Sequence, residues 1–310
     1  MFSLPPLRNH QATLILSTLL TLCFCSPPPK KITKRENKSP TNGFPTIPKS
    51  ITFFGKVCSL ADQDVQERLD RELLVNAFYQ SSTTLIIKKS ARYFPIIEPI
   101  LRSEGIPEDF KYLCVIESNL NNVTSPAGAT GLWQFMPATA LEYGLKINSE
   151  IDERHHLEKS TKAACALIKS NYALFNNWVN ACAAYNRGPN GLLQDFKSQG
   201  VQHYFDAEMN LETARYVLRI MALKMILENP EPYGFRIPAK SRYPRYKTKK
   251  FLINRPITNI SKWSIEHGVN QKILRLLNPW ILGNQLTEKS LPCFIDLPKD
   301  AQQLNNKHSL

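Results

Sequence analysis

PEDFKYLCVIESNLNNVTSPAGATGLWQFMP, residues 107–137, opens like a helix and closes like a turn-rich loop. Pro107 suits the first helical position, and Glu108 and Asp109 place negative charge where the helix dipole favours it. Phe110, Leu113, Cys114 and Glu117 fall at i, i+3, i+4 and i+7, so they share one face. Three of them are apolar or nearly so, and the fourth is a glutamate. A carboxyl group at the end of an apolar stripe is held out of water, which disfavours its charged form and raises its pKa. Such a group can keep its proton near neutral pH and serve as a general acid. The plainer reading puts Glu117 at an exposed helix end, where charged residues usually sit.

The flanking sequence extends a helical pattern in both directions. Ser118 and the cluster Asn119, Asn121, Asn122 break the first helix, and residues 124–128 read as a turn-rich loop. GLWQFMP (131–137) then sets polar Gln134 inside an apolar run, and a buried amide needs partners. No Asp or Glu occurs between Glu117 and Glu142, so Glu117 has no carboxylate neighbour in sequence. Residues 65–79, 84–106 and 163–175 fit amphipathic helices. Residues 178–185 are apolar nearly all round, as in a buried central helix, and Asn186-Arg187-Gly188-Pro189 stops it. A long helix over 211–227 opens with Glu212 and is ended by Pro230 and Pro232. Residues 51–106 read as helices packing on the domain that carries Glu117.

Glu117-Ser118, GLWQFMP, AYNRG (184–188) and ETARYV (212–217), in this order and at these spacings, resemble the lytic transglycosylase (SLT) domain of the lysozyme superfamily. The resemblance is greatest to murein transglycosylases of the membrane-bound D type, and the matching segments run from 53 to 230. The loop between Glu117 and Ser125 is one residue shorter than the common family pattern. The resemblance implies a mainly α fold of the α+β lysozyme-like superfamily. It implies Glu117 as the single catalytic acid/base, with Ser125, Gln134, Met136, Tyr185, Asn186, Glu212 and Tyr216 binding substrate. The implied substrate is the glycan strand of peptidoglycan, cut at the β-1,4 bond between N-acetylmuramic acid and N-acetylglucosamine to leave 1,6-anhydromuramyl ends. It implies neither a metal nor an organic cofactor. Most glycosidases use two carboxylates; in this route the sugar's own N-acetyl group supplies the second function.

Plainer roles stand beside these. Met136 fits a core as well as a cleft, Tyr185 fits a packed ring with a tied hydroxyl, and Glu212 fits a favourable first-turn charge. Trp133 fits packing better than a sugar platform. Two other functions compete: a hydrolytic muramidase of the same fold with Glu212 as second carboxylate, and a non-catalytic wall-binding protein.

The chain has 310 residues and a formal charge of +13, a balance that favours anionic partners. Arg8 and His10 precede an apolar run over 14–25, too short for a mature span and suited to an export signal. Cys23 and Cys25 end it. That fits a lipoprotein anchored at Cys23 or Cys25, plain secretion, or an uncleaved anchor. Five of the seven cysteines remain beyond it, in no metal-binding spacing, and they read as small core residues.

The expected order is an export signal (1–25), a flexible Pro- and Lys-rich tether (26–50), N-terminal helices (51–100), the catalytic domain (101–230), a basic linker (231–255), a small module (256–299) and a loose tail (300–310). Residues 236–255 hold eight Lys/Arg and no acid, with Tyr243 and Tyr246 among them. Basic and aromatic residues together can follow a nucleic acid, but export argues against that partner. A linker that is solvated, or laid against an anionic wall or membrane, is the expectation. Ile260, Trp263, Ile265, His267-Gly268-Val269, Ile273, Leu274, Leu277, Asn278-Pro279 and residues 294–298 resemble a LysM repeat, a βααβ unit of wall-binding proteins, without its usual GDTL-like opening. The chain is thus expected to be exported, periplasmic and membrane-associated.

Overall fold

In the computed structural model, which describes residues 47–300, the first element is not helical. Strand β1 (Ser50–Phe53) pairs antiparallel with β2 (Lys56–Ser59), Phe53 lying opposite Lys56. Phe54 (φ 50°) and Gly55 (φ 75°) form the turn, with the positive φ at both positions that a type I′ turn requires. A phenylalanine in that region is unusual, which is why the expectation of helices from residue 51 fails here. Burial of the ring offsets the strain: Phe54 is 3% exposed and stacks on Phe110 at 4.3 Å. The export signal with Cys23 and Cys25, the tether up to residue 46, and the tail from 301 lie outside the described residues.

The helix that carries Glu117, α3 (Phe110–Ser118), begins three residues later than Pro107 suggests. Asp109 is diverted from the helix dipole. Its carboxylate accepts from the Phe54 N–H (2.6 Å) and pairs with Lys224 (2.7 Å). Upstream, α1 (Gln63–Phe78) is capped by Asp62, and α2 (Gln80–Ser103) runs straight across the expected boundary at residue 100. Downstream come α4 (Pro137–Glu142), α5 (Leu157–Phe175), α6 (Trp178–Arg187), α7 (Pro189–Gln199) and α8 (Leu211–Glu228). Helix α7 follows directly on the Gly188-Pro189 break, because proline suits a first helical position.

Helix α1 packs on α8, α2 on α5, and α3 on α8, so all these helices share one apolar core. Each large side chain fully buried there contributes about 1.5–3 kcal/mol. Two ion pairs fix α8: Arg215 meets the buried Glu72 of α1 at 2.7 Å, and Lys224 meets Asp109. They set the rotation of the helix that carries Tyr216.

The C-terminal module is β3 (Thr248–Ile253), α9 (Ile260–Glu266), α10 (Gln271–Leu277) and β4 (Cys293–Pro298), with β3 and β4 paired antiparallel. Strand β3 begins inside the stretch expected as linker, so the linker ends at 247 and not at 255. The rest of that basic stretch is not simply solvated. The Tyr243 N–H donates to the Lys88 carbonyl (2.9 Å), and Arg92 donates to the Pro244 carbonyl (3.1 Å). Arg92 also lies over the Tyr246 ring at 4.5 Å, so the segment follows α2. The five described cysteines are unpaired, four of them buried. Among the described residues no helix is long and apolar enough to cross a membrane.

Candidate active site

Phe110, Leu113 and Cys114 are fully buried and anchor α3 to the core. One turn on, Glu117 emerges half-buried in the last turn of the helix. The helix stops there because Asn119 (φ 50°) and Leu120 (φ 54°) turn left-handed, and the Asn119 N–H closes on the Val115 carbonyl at 2.8 Å. From α8, the buried Tyr216 donates its hydroxyl to Glu117 Oε1. The acid's hydrogen bond therefore comes from a phenol and not from a lysine or arginine. Burial pushes the Glu117 carboxyl up to about 7; the Tyr216 hydrogen bond and Arg219 pull it down, and Glu212 pushes it up.

A second cluster adjoins it. Asn186, at the end of α6, donates from Nδ2 to Glu212 Oε1 (3.1 Å), and its Oδ1 accepts from the Thr213 hydroxyl (2.9 Å). Glu212 is an exposed first-turn residue of α8, held by Asn186. The Tyr185 hydroxyl donates to the Trp133 carbonyl (2.9 Å), and its ring meets Phe135 edge-on. Burial and the nearby Glu117 hold the Tyr185 phenol well above its usual range. Tyr185 thus ties the helices to the loop that carries Trp133.

That loop holds the other expected residues. Ser125 closes a turn: its Oγ accepts from the Ala129 N–H (3.1 Å), and its carbonyl accepts from the Gly128 N–H (2.9 Å). Gln134 (φ 49°) turns its amide inward, donating to the carbonyls of Gly131 (2.7 Å) and Val123 (3.1 Å). Met136 is 44% exposed just before α4, so the core alternative does not apply to it. Trp133 is packed, as expected; it is fully buried, with its indole N–H on Thr161 (2.9 Å). The acid cluster of Glu117, Tyr216, Tyr185, Asn186 and Glu212 and the loop cluster of Ser125, Gln134 and Met136 therefore meet through the Tyr185–Trp133 bond. A cavity of about 300 Å³ lies elsewhere, with Tyr93, His156, Tyr246 and Trp280 in its walls, and none of these site residues lines it.

Three contributors escape a reading of the sequence. Arg219 sits one helical turn beyond Tyr216, a legible spacing. Thr213 lies inside ETARYV. Arg154 leaves no local signal, because its guanidinium reaches the carbonyls of Gly128 (2.8 Å) and Phe135 (3.1 Å), far away in the chain. Among the described residues no group of three or more His, Cys, Asp or Glu could hold a metal ion.

The family model for the transglycosylase SLT domain matches residues 94–220, which include Glu117 and every residue of both clusters. The model for the soluble lytic transglycosylase C-terminal LysM-like domain matches residues 249–301. Membrane-bound lytic murein transglycosylase D of Escherichia coli (strain K12) is 26% identical over 235 residues, covering 74% of this chain and 50% of that protein. A putative tributyltin chloride resistance protein of Alteromonas sp. (strain M-1) is 31% identical over 117 residues, 36% of this chain and 56% of its own length. The chain spans about half the length of the curated relatives it matches. Among solved structures, the 70-kDa soluble lytic transglycosylase Slt70 of Escherichia coli superposes with a TM-score of 0.41 at 19% identity, over 57% of this chain and 33% of that one. The chain carries a transglycosylase SLT domain followed by a soluble lytic transglycosylase C-terminal LysM-like domain.

Proposed function

We propose that this protein is a peptidoglycan lytic transglycosylase in which Glu117 is the single general acid and base. One observation carries the reading: a half-buried carboxyl lifted to about 7, held by a phenol hydroxyl and by no cation. A group with that pKa can give up and take back a proton near neutral pH. The protonated Glu117 donates to the glycosidic oxygen as the bond to muramyl C1 breaks. The muramyl N-acetyl group stabilises the cationic C1. Glu117, now a carboxylate, removes the proton from the muramyl C6 hydroxyl, and O6 closes on C1. A 1,6-anhydro ring forms, no water is consumed and the acid is regenerated.

The other residues take supporting roles. Tyr216 fixes the rotamer of Glu117. Asn186, oriented by Glu212 and Thr213, faces the reacting sugar, and Tyr185 walls it. Ser125, Gln134 and Met136 line the opposite bank of the cleft. The exposure of Met136 and Glu212 suits an open groove, which a polymer strand needs and an enclosed cavity does not supply. The relative named membrane-bound lytic murein transglycosylase D supports the same activity and an exported, periplasmic, membrane-associated site of action. A lipid anchor at Cys23 or Cys25 would place the protein there.

Digestion of purified peptidoglycan by the full-length chain, with mass spectrometry of the muramyl ends, tests the reading. Anhydro ends are expected. Reducing ends heavier by one water would show a hydrolase with Glu212 positioning that water. Binding with no soluble product would show a wall-binding protein.

A further inference from the structure

The LysM-like module does not hang free of the SLT domain. Its core includes Ile151, a residue of the loop between α4 and α5, which is 1% exposed and bridges to Ile281. The Glu150 carbonyl accepts from the N–H groups of both Leu282 (2.8 Å) and Gly283 (2.9 Å), and the Asp152 N–H donates to the Trp280 carbonyl (2.9 Å). The Glu150 side chain crosses the same seam: Oε2 accepts from the Thr287 N–H (2.9 Å) and the Ser290 hydroxyl (2.7 Å). The backbones run so close that a Cβ on Gly283 would sit 3.0 Å from Glu150 Cα. A head that searches for glycan on a loose tether would not need its own core completed by the neighbouring domain.

From this seam a continuous set of contacts leads to the cleft loop. The Asp152 carboxylate accepts from Arg154 Nε (3.0 Å) and Nη2 (2.7 Å). The third nitrogen of that guanidinium donates to the carbonyls of Gly128 and Phe135, so it clamps the loop at two points. The pair is almost fully buried, and a planar fork bound on both sides has little freedom to re-orient. Gly131 lies against the Arg154 backbone, where a Cβ would fall 2.0 Å from its carbonyl oxygen. Asn122 adds a second tie, with Nδ2 on the His155 carbonyl (2.9 Å).

We propose that the LysM-like module buttresses the cleft loop 123–136, with Glu150 and Arg154 as positioning residues that pass its docking on to Ser125, Gln134 and Met136. The placement of those three in a glycan cleft rests on the function proposed above.

The test uses the full-length chain. Glu150→Ala removes the acceptor for Thr287 and Ser290 without touching the acid cluster, and Glu150→Gln keeps a carbonyl acceptor. For Glu150→Ala, kcat/KM on peptidoglycan is expected to fall about tenfold, since small misplacements of positioning groups are costly. The pH dependence is expected to stay put, because the neighbours of Glu117 on α3 and α8 are untouched. Amide exchange is expected to rise over 281–290 and also over 123–136, and Glu150→Gln should restore both rate and protection. If Glu150→Ala does not fold, Gly283→Ala presses a small wedge into the same seam and is read the same way. Faster exchange over 281–290 with the loop still protected, or wild-type turnover with the seam open, overturns the proposal. So does a seam whose exchange does not change at all. A wild-type chain that cleaves no peptidoglycan counts against the proposed function, while the exchange coupling between seam and loop still decides this inference.

Discussion

Glu117 and Glu150 are both taken out of water, one at the end of α3 and the other at the seam with the module, yet their surroundings push them in opposite directions. Glu117 has a single hydrogen bond, from Tyr216, and burial lifts it to about 7. Glu150 is 8% exposed, yet it is held below the usual carboxylate range, chiefly by the Ser290 hydroxyl, with help from Thr287 and Lys289 against the upward push of burial. Burial raises both carboxyls: it prevails at Glu117, where a single hydroxyl hydrogen-bonds the group, and is outweighed at Glu150, where Ser290 and Thr287 both donate. The balance of desolvation against donors sets the direction of each shift. A carboxylate satisfied by its donors holds structure together; one left short of donors keeps chemistry available.

The largest effect should come from removing the proton donor proposed above. Glu117→Gln is expected to leave the fold intact and to lower glycan cleavage by ~10²–10⁴-fold or more, the scale of general acid catalysis. Near-normal turnover on purified peptidoglycan would break the contrast at once. The same variant also tests the cost of burial. A group raised from 4.5 to about 7 contributes its full stability below the lower value and loses it as pH rises through the upper one. The loss amounts to roughly 3 kcal/mol. Urea unfolding should therefore find Glu117→Gln more stable than wild type near pH 8, and the advantage should vanish near pH 4.

Glu150 should respond with the opposite sign. Its lowered pKa means that its contribution is present above the ordinary glutamate value and is lost as pH falls through the folded one. Glu150→Ala is expected to cost about 2 kcal/mol near neutrality, the scale of hydrogen bonds to a charged group, and progressively less on acidification. A cost that grows toward acid pH would mean that Ser290 and Thr287 are not what holds the carboxylate.

Much of this contrast could be read in the sequence on one side and almost none on the other. Glu117 stood out because its apolar neighbours recur at helical spacing within a single helix. Tyr216 and Asn186 came through resemblance, since the bonds Tyr216–Glu117 and Asn186–Glu212 join separate helices. Glu150 sits in NSEID with no periodicity around it, and its partners Thr287 and Ser290 lie in another domain of the chain. The hairpin at Phe54-Gly55 was hidden for a similar reason: a left-handed phenylalanine is tolerated only because Phe110, distant in sequence, receives its ring. Strand β3 reads as linker in the sequence because Lys249 and Lys250 continue the basic stretch, and in the fold only its Ile253 is fully buried. What rests on local spacing was legible, and what rests on contacts between distant segments was not.

The finest probe of the contrast is the one donor Glu117 retains. The Tyr216 hydroxyl favours the charged form of the acid, so Tyr216→Phe takes away a hydrogen bond that pulls its pKa down. The ring can stay buried in the same place, and the fold should be unaffected. Glu117 should then hold its proton to higher pH, and the alkaline limb of the kcat/KM profile should move upward. A less acidic donor transfers its proton less readily, so the plateau rate should fall by less than about tenfold. A limb that moves the other way, or not at all, would mean that Tyr216 does not govern this proton. The low supply of donors that separates Glu117 from Glu150 would then need another explanation.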